Sequence, residues 1–212
     1  WTFTTCYFGC INDTYYTDGD TLVNAKNYKI LDGFHYISRT FLLRESIIDK
    51  KIFLAKINPT SVSEYLLYDF SLTDGSTFNM VNPISPFPLH GDEFVLDSIR
   101  QKPLLNGINY RHFCFSPSPT NSISNYPVVW IEGIGSKSII NAPGGNVNVN
   151  GAGELSCFFK NTDLVYHQNQ INSSCVLLKN QNFKNALSNI KIRYNAVVNT
   201  FSFTNSELIS EI

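Results

Sequence analysis

Short runs of β-favouring residues, each closed within a few positions by Gly, Asn, Asp or Pro, recur along this chain and limit what it can fold into. They read "WTFTTCYF", "TLV", "NYKIL", "HYISRTFLLRE", "KKIFLAKI", "EYLLYDFSL", "EFVLDSIRQ", "NYRHFCF", "PVVWIEGIG", "ELSCFFK" and "DLVYH". Val, Ile, Tyr, Phe and Thr dominate them, as expected of strands that pack a pleated, half-buried surface. Most neighbours are one short turn apart, which suits antiparallel pairing and leaves no room for helical crossovers. The expected fold is therefore all-β, an antiparallel meander forming a sandwich or partly open barrel.

Two octamers sharpen the reading. Leu22–Lys29 and Leu104–Arg111 share the pattern Leu-x-Asn-x-x-Asn-Tyr-basic. The second contains Asn106-Gly107, a strong hairpin signal because both residues tolerate positive φ. Both octamers are expected to turn at their first Asn and to set Tyr28 and Tyr110 on the returning strand. "EYLLYDFSL" alternates Tyr65, Leu67, Asp69 and Ser71 with Leu66, Tyr68, Phe70 and Leu72, a strand period rather than a helical one. Helix is scarce; "NFKNALSN" is a candidate single turn. Three long loops stand out: the Pro-rich "NPISPFPLHGDE", "SPSPTNSISNYP", and the Gly- and Asn-rich "NAPGGNVNVNGAGE". Loops of this kind are expected at the surface, as insertions or as recognition elements.

Hydrophobic residues make up 43% of the 212, enough for one sizeable core. Sixteen basic against seventeen acidic residues leave a net charge of −1, with no basic run. The electrostatic footprint of a nucleic-acid binder is missing. Apolar runs such as "VVWI" are too short to span a bilayer, so the chain is read as not membrane-spanning. It begins at Trp1 without an initiator Met, as a chain would after removal of a signal peptide or where its sequence is only partly known. The cysteines, Cys6, Cys10, Cys114, Cys157 and Cys175, fit no zinc spacing. Two bridges plus one thiol in an oxidising compartment, and five buried thiols in a reducing one, are equally compatible with the composition. In the bridged reading Cys157 pairs with Cys175 across a hairpin-like excursion, and Cys6 with Cys10 by a bend at Gly9.

From Gly19 to Cys175 the order of segments resembles a domain of secreted Bacteroidetes proteins that precedes a type IX secretion sorting tail. The segments are "GDTLVNAKNYK", "FLLRES…KKIFLAKI", "EYLLYDFSLTDGSTF", "DSIRQKPLLNGINYRHF", "VVWIEGIGS" and "ELSCFFKNTDLVY". "NIKIRYNAVVNTFSF" is similar to the opening of the type A sorting domain, with Ile192, Asn195, Val197 and Asn199 matching. The resemblance implies an extracellular or outer-surface address, export by a type IX-like route, and the disulfide-bonded reading of the cysteines. The implied organisation is a secreted all-β domain over residues 1–178, a connector over 179–188, and a sorting-domain-like tail over 189–212.

Chemistry is sparse. No GxSxG, HExxH, P-loop or GxGxxG motif occurs. His90 lies beside Asp92 and Glu93 and forms the one local acid/base grouping. Glu132 follows Trp130 and precedes glycines that let a ligand approach the backbone. These three, Trp130, Glu132 and His90, are the candidate ligand-binding residues, and the plainer reading of Glu132 is a strand-end ion partner with Trp130 in the core. Asp13, Asp18 and Asp20 crowd a turn that could hold calcium, although their spacing matches no calcium loop, and no metal or other cofactor is expected. The functional expectation is a non-enzymatic structural or adhesive surface protein. Its partners are secretion machinery or neighbouring surface subunits engaged through the C-terminal tail. The alternatives are a filament subunit assembled by strand complementation and a glycan or peptide hydrolase centred on Glu132.

Overall fold

The computed structural model describes residues 1–6, 8–33, 36–85, 87–147, 153–170, 175, 190–195 and 200–205. The chain divides into two compact units, Trp1–Cys175 and Val176–Ile212. The first unit is built from β1 (Thr2–Cys6), β2 (Cys10–Val23), β3 (Lys26–Gly33), β4 (Phe41–Ser46), β5 (Lys51–Asn58), β6 (Ser61–Asp69) and β7 (Thr77–Val81), followed by β8 (His90–Pro103), β9 (Asn109–Pro117), β10 (Val128–Ile131), β11 (Gly135–Ser136), β12 (Glu154–Lys160) and β13 (Asp163–His167). The second contains β14 (Ile190–Asn195) and β15 (Thr200–Asn205), paired antiparallel from Ile190↔Asn205 to Asn195↔Thr200. The connector 179–188 and the candidate turn "NFKNALSN" lie outside the described residues.

The first unit is an antiparallel, sandwich-like fold of two sheets. One has eight strands in the order β13-β12-β1-β2-β3-β4-β5-β6, the other five in the order β11-β10-β9-β8-β7. Sequential hairpins build most of both. The exception joins the start of the chain to a distant segment, where Phe3 pairs with Leu155. Alternation then decides which residues meet between the sheets. Phe3, Tyr15, Leu31, Leu54 and Leu67 face inward from one; Phe78, Phe94, Phe113, Phe115 and Trp130 face them from the other. Trp130 is fully buried, with the rings of Phe115, Tyr68 and Phe78 at 4.3, 5.1 and 5.3 Å.

The eight-stranded sheet also curls. β3 and β6 are three strand spacings apart, about 14 Å in a flat sheet. On the face opposite the aromatic core, the Tyr28 phenol nonetheless donates to Glu64 at 2.5 Å. Side chains standing upright on a flat sheet would not meet across that span. Tyr28, Leu42 and Ala55 form a second buried cluster inside this curl.

Both octamers turn as expected. Asn24 and Ala25 have φ of 49° and 60°, the doubly left-handed pair of a two-residue hairpin, and Gly107 has φ 74°. Tyr28 and Tyr110 lie on the returning strands β3 and β9. Two expectations are corrected. "HYISRTFLLRE" is not one strand: Phe41 N–H bonds Ser38 O in a turn, and pairing starts only at Phe41. The second concerns the Gly- and Asn-rich loop. Residues 138–145, its first part included, are buried rather than on the surface; residues 148–152 lie outside the described set.

Candidate functional site

β10 ends at Ile131, opposite His112 of β9, so the next residue, Glu132, emerges beside Arg111. The backbone N–H of Glu132 bonds Arg111 O, and the side chains close a fork. Arg111 Nε donates to Oε2 at 2.7 Å and Nη2 to Oε1 at 2.6 Å. Nη2 also donates to Phe70 O at 2.8 Å, just past the end of β6, and the guanidinium lies 5.0 Å from the Phe113 ring. Phe70 N–H in turn bonds Lys50 O in the β4–β5 turn. The fork thus ties three segments together at this end of the sandwich, and the backbone of Phe70 adds the β4–β5 turn. Hydrogen bonds from Arg111 hold the Glu132 carboxyl below its ordinary range, against the opposing effect of partial burial.

Beside the fork lies an apolar cleft of about 200 Å³. Its walls include Trp1, Leu43, Ile52, Leu67, Phe70, Ile134 and Ile140, and Gly133 and Gly135 border it. The glycines after Glu132 therefore do open backbone to a cavity. Gly133 (φ +76°) has nothing within 4 Å of where a Cβ would stand, whereas Gly135 (φ +111°) admits Tyr68 to within 3.3 Å of that position. Lys29 and Arg44 stand at the cleft, and both are already ion-paired, Lys29 with Asp20 at 2.6 Å and Arg44 with Glu64 at 2.9 Å.

The segment from Ile134 to Gly145 closes the cleft from inside the protein. Irregular backbone is costly to bury unless its polar groups are bonded. Here distant side chains do much of that work. The Tyr68 hydroxyl donates to Ile140 O (2.5 Å) and accepts from Ser136 N–H (3.1 Å); burial pushes its pKa up, so it stays a neutral phenol. Asn82 Oδ1 accepts from Gly144 N–H at 2.9 Å, and Trp130 Nε1 donates to Pro143 O at 2.8 Å. Tight turns bond Ala142 N–H to Ile139 O and Gly145 N–H to Ala142 O. The enclosed Asn141 amide has no partner among the described residues.

The three candidate residues are not brought together as a site. Trp130 is enclosed by the aromatic core, its indole N–H spent on Pro143 O. Glu132 is held by Arg111, as the ion-partner reading expects. His90 is exposed at the start of β8. Its neighbour Asp92 accepts from Glu93 N–H and from Ser122 N–H and Oγ, so that carboxylate anchors the loop after β9. The acidic turn also disperses: Asp18 pairs with Arg39, Asp20 with Lys29, and Asp13 is buried. No group of three or more metal-ligating side chains occurs among the described residues. His112 is buried, and desolvation, helped by Lys102 and Lys137, lowers its pKa.

Both expected disulfides are present. Cys157 and Cys175 bridge with Cα atoms 5.8 Å apart, and Cys6 bridges Cys10 directly across the β1–β2 hairpin at 4.1 Å, leaving Cys114 free. Sequence reasoning missed Arg111, Tyr68 and Asn82. The tyrosine stood at a core position of an alternating strand, and nothing local marked its hydroxyl as the partner of a segment about seventy residues away. No family model, curated protein or solved structure matches the chain. Among the described residues no helix is long and apolar enough to cross a membrane.

Proposed function

We propose that this chain is a non-enzymatic structural or adhesive module of the extracellular space or outer cell surface, exported by a type IX-like route. The Arg111–Glu132 fork carries the reading. A carboxylate with both oxygens engaged by one guanidinium, and its pKa lowered, serves as a counter-ion in a fork that fastens three segments. General acid catalysis at Glu132 would call for the opposite shift. The two disulfides are compatible with an oxidising compartment. The test is Glu132→Gln assayed on a panel of glycans and peptides. No turnover dependent on Glu132 is expected; activity abolished by the substitution in a protein that stays folded would overturn the reading.

A second reading, a filament subunit assembled by strand complementation, draws support from the β14–β15 pair. A lone two-stranded unit is marginal in water, so an ordered one needs cover for its edges. Deleting residues 189–212 should then abolish assembly or surface retention while unit Trp1–Cys175 stays folded. Unfolding of that unit on deletion would remove the support for both assembly and sorting through the tail.

A further inference from the structure

We infer that the apolar cleft receives Phe8 of a second copy of this chain, so that molecules associate head to tail. The inference rests on the structural-module reading and names a contact that module makes. Phe8 stands at the tip of the β1–β2 hairpin with 109% relative exposure, and Ile11 beside it is 70% exposed. The Cys6–Cys10 disulfide clamps the strands on either side of it. An aromatic ring held outward on a closed loop loses little conformational freedom on docking, the situation in which a single side chain makes an effective anchor.

Size, charge and position select the occupant. An apolar cavity of about 150 Å³ suffices for benzene, whereas ordinary small-molecule sites run from about 300 Å³ upward. The cleft, at about 200 Å³, suits one aromatic side chain. The cleft's cations Lys29 and Arg44 are paired with Asp20 and Glu64, the exposed Glu45 carboxylate stands at the cleft as well, and residues 4–12 around the tip carry no charge, so the contact is apolar and draws nothing from charge attraction. Position excludes an internal contact. Trp1, at the cleft, lies five residues along the hairpin from Cys6, roughly 17 Å at strand rise, and the clamped hairpin does not fold back over that distance. Knob and hole at opposite ends of one hairpin form a heterologous pair, and such pairs extend into chains unless the rotation closes a ring. One aromatic buries about 150–250 Å², far below the roughly 1,200 Å² of a stable interface. The contact is therefore weak between single molecules and gains strength where many copies are held on one surface.

The test uses the full chain in sedimentation equilibrium. Phe8→Ser, at an exposed position, should raise the concentration for half-association by about tenfold or more. Leu43→Trp, which fills the cleft, should do the same. An equimolar mixture of the two variants should recover a dimer, because each retains the half the other lacks. A benzophenone amino acid at position 8 should cross-link between chains to Leu43, Ile52 or Ile134, a readout that holds even where Leu43→Trp perturbs folding. A chain still monomeric at about 1 mM, the range in which so small a contact is read, association indifferent to Phe8→Ser, or cross-links away from the cleft would overturn the inference. Toluene binding in the cleft with association unchanged would also overturn it, assigning the cavity to a small ligand. None of these failures bears on Glu132, whose assay tests the non-enzymatic reading separately.

Discussion

Two connecting segments of this protein invert what their composition suggests. The hairpin tip between Cys6 and Cys10 carries a phenylalanine and leaves it in water; the segment from Ile134 to Gly145 holds three Gly, two Ser and a Pro and is enclosed by the core. The tip is held by a covalent bond across two paired strands. The enclosed segment is held by hydrogen bonds from Tyr68, Asn82 and Trp130, each from a different strand or loop. The contrast teaches that burial follows from where backbone polar groups find partners, and the partners of an irregular segment need not be local.

The largest expected effect falls on those partners. Tyr68→Phe keeps the ring and removes one oxygen, leaving Ile140 O and Ser136 N–H without it inside the protein. Orphaning two buried groups should destabilise by about 2–4 kcal/mol in urea unfolding. A loss under ~0.5 kcal/mol would mean that the enclosed segment is held chiefly by apolar packing, and the contrast with the tip would fail. Next comes Gly145→Ala. A Cβ there would stand 2.9 Å from Ala142 Cβ, Phe87 Cε1 and Ser138 Oγ, so the segment must shift, at about 1–3 kcal/mol.

These sites show what could be seen in advance. The hairpin at Asn106-Gly107 and the Cys157–Cys175 excursion are written in neighbouring residues, and each was legible; the strand period read over Tyr65–Leu72 holds only to Asp69, and a register shift opposite Ile52 and Phe53 puts both Leu67 and Tyr68 in the core. Glu132 was legible as an ion partner but not its partner, because Arg111 reaches it only through the β9–β10 register. The enclosed segment was misread because Gly and Asn signal a turn whether or not something covers it. What covers it here is Tyr68 and Asn82, about seventy and sixty residues earlier in the chain.

Between these extremes lies the Glu64 cluster inside the curl, half-shielded and fully bonded. Burial pushes the Glu64 carboxyl up, but hydrogen bonds from Lys26, Tyr28 and Arg44 outweigh it and hold it at about 2, against an ordinary 4.5. A carboxyl depressed in the folded state contributes stability above its unfolded pKa and loses it as pH falls through the folded value. The contribution is therefore full above pH 4.5 and disappears on the way down to about 2. With solvent screening it amounts to roughly 1–2 kcal/mol. Glu64→Gln should flatten the stability profile over that window in acid titration of the unfolding midpoint. An unchanged slope would place the curl's stability in Leu42 and Ala55 rather than in the charges.

The smallest effect, and the most informative about the tip, is expected for Phe8→Ser. A side chain with 109% relative exposure has no packing to lose in the folded monomer, so the substitution should change unfolding free energy by less than about 0.5 kcal/mol. Measured at a concentration where the chain is monomeric, that near-silence separates the tip from the enclosed segment, where removing a single oxygen costs several times more. It also fixes the meaning of the association assay, since an exposed residue that is silent for stability yet matters for self-association acts through another molecule. A loss above about 1 kcal/mol in the dilute monomer would show that Phe8 packs against its own chain. The hairpin tip would then be a second enclosed segment, and the contrast between the two regions would rest on the disulfide alone.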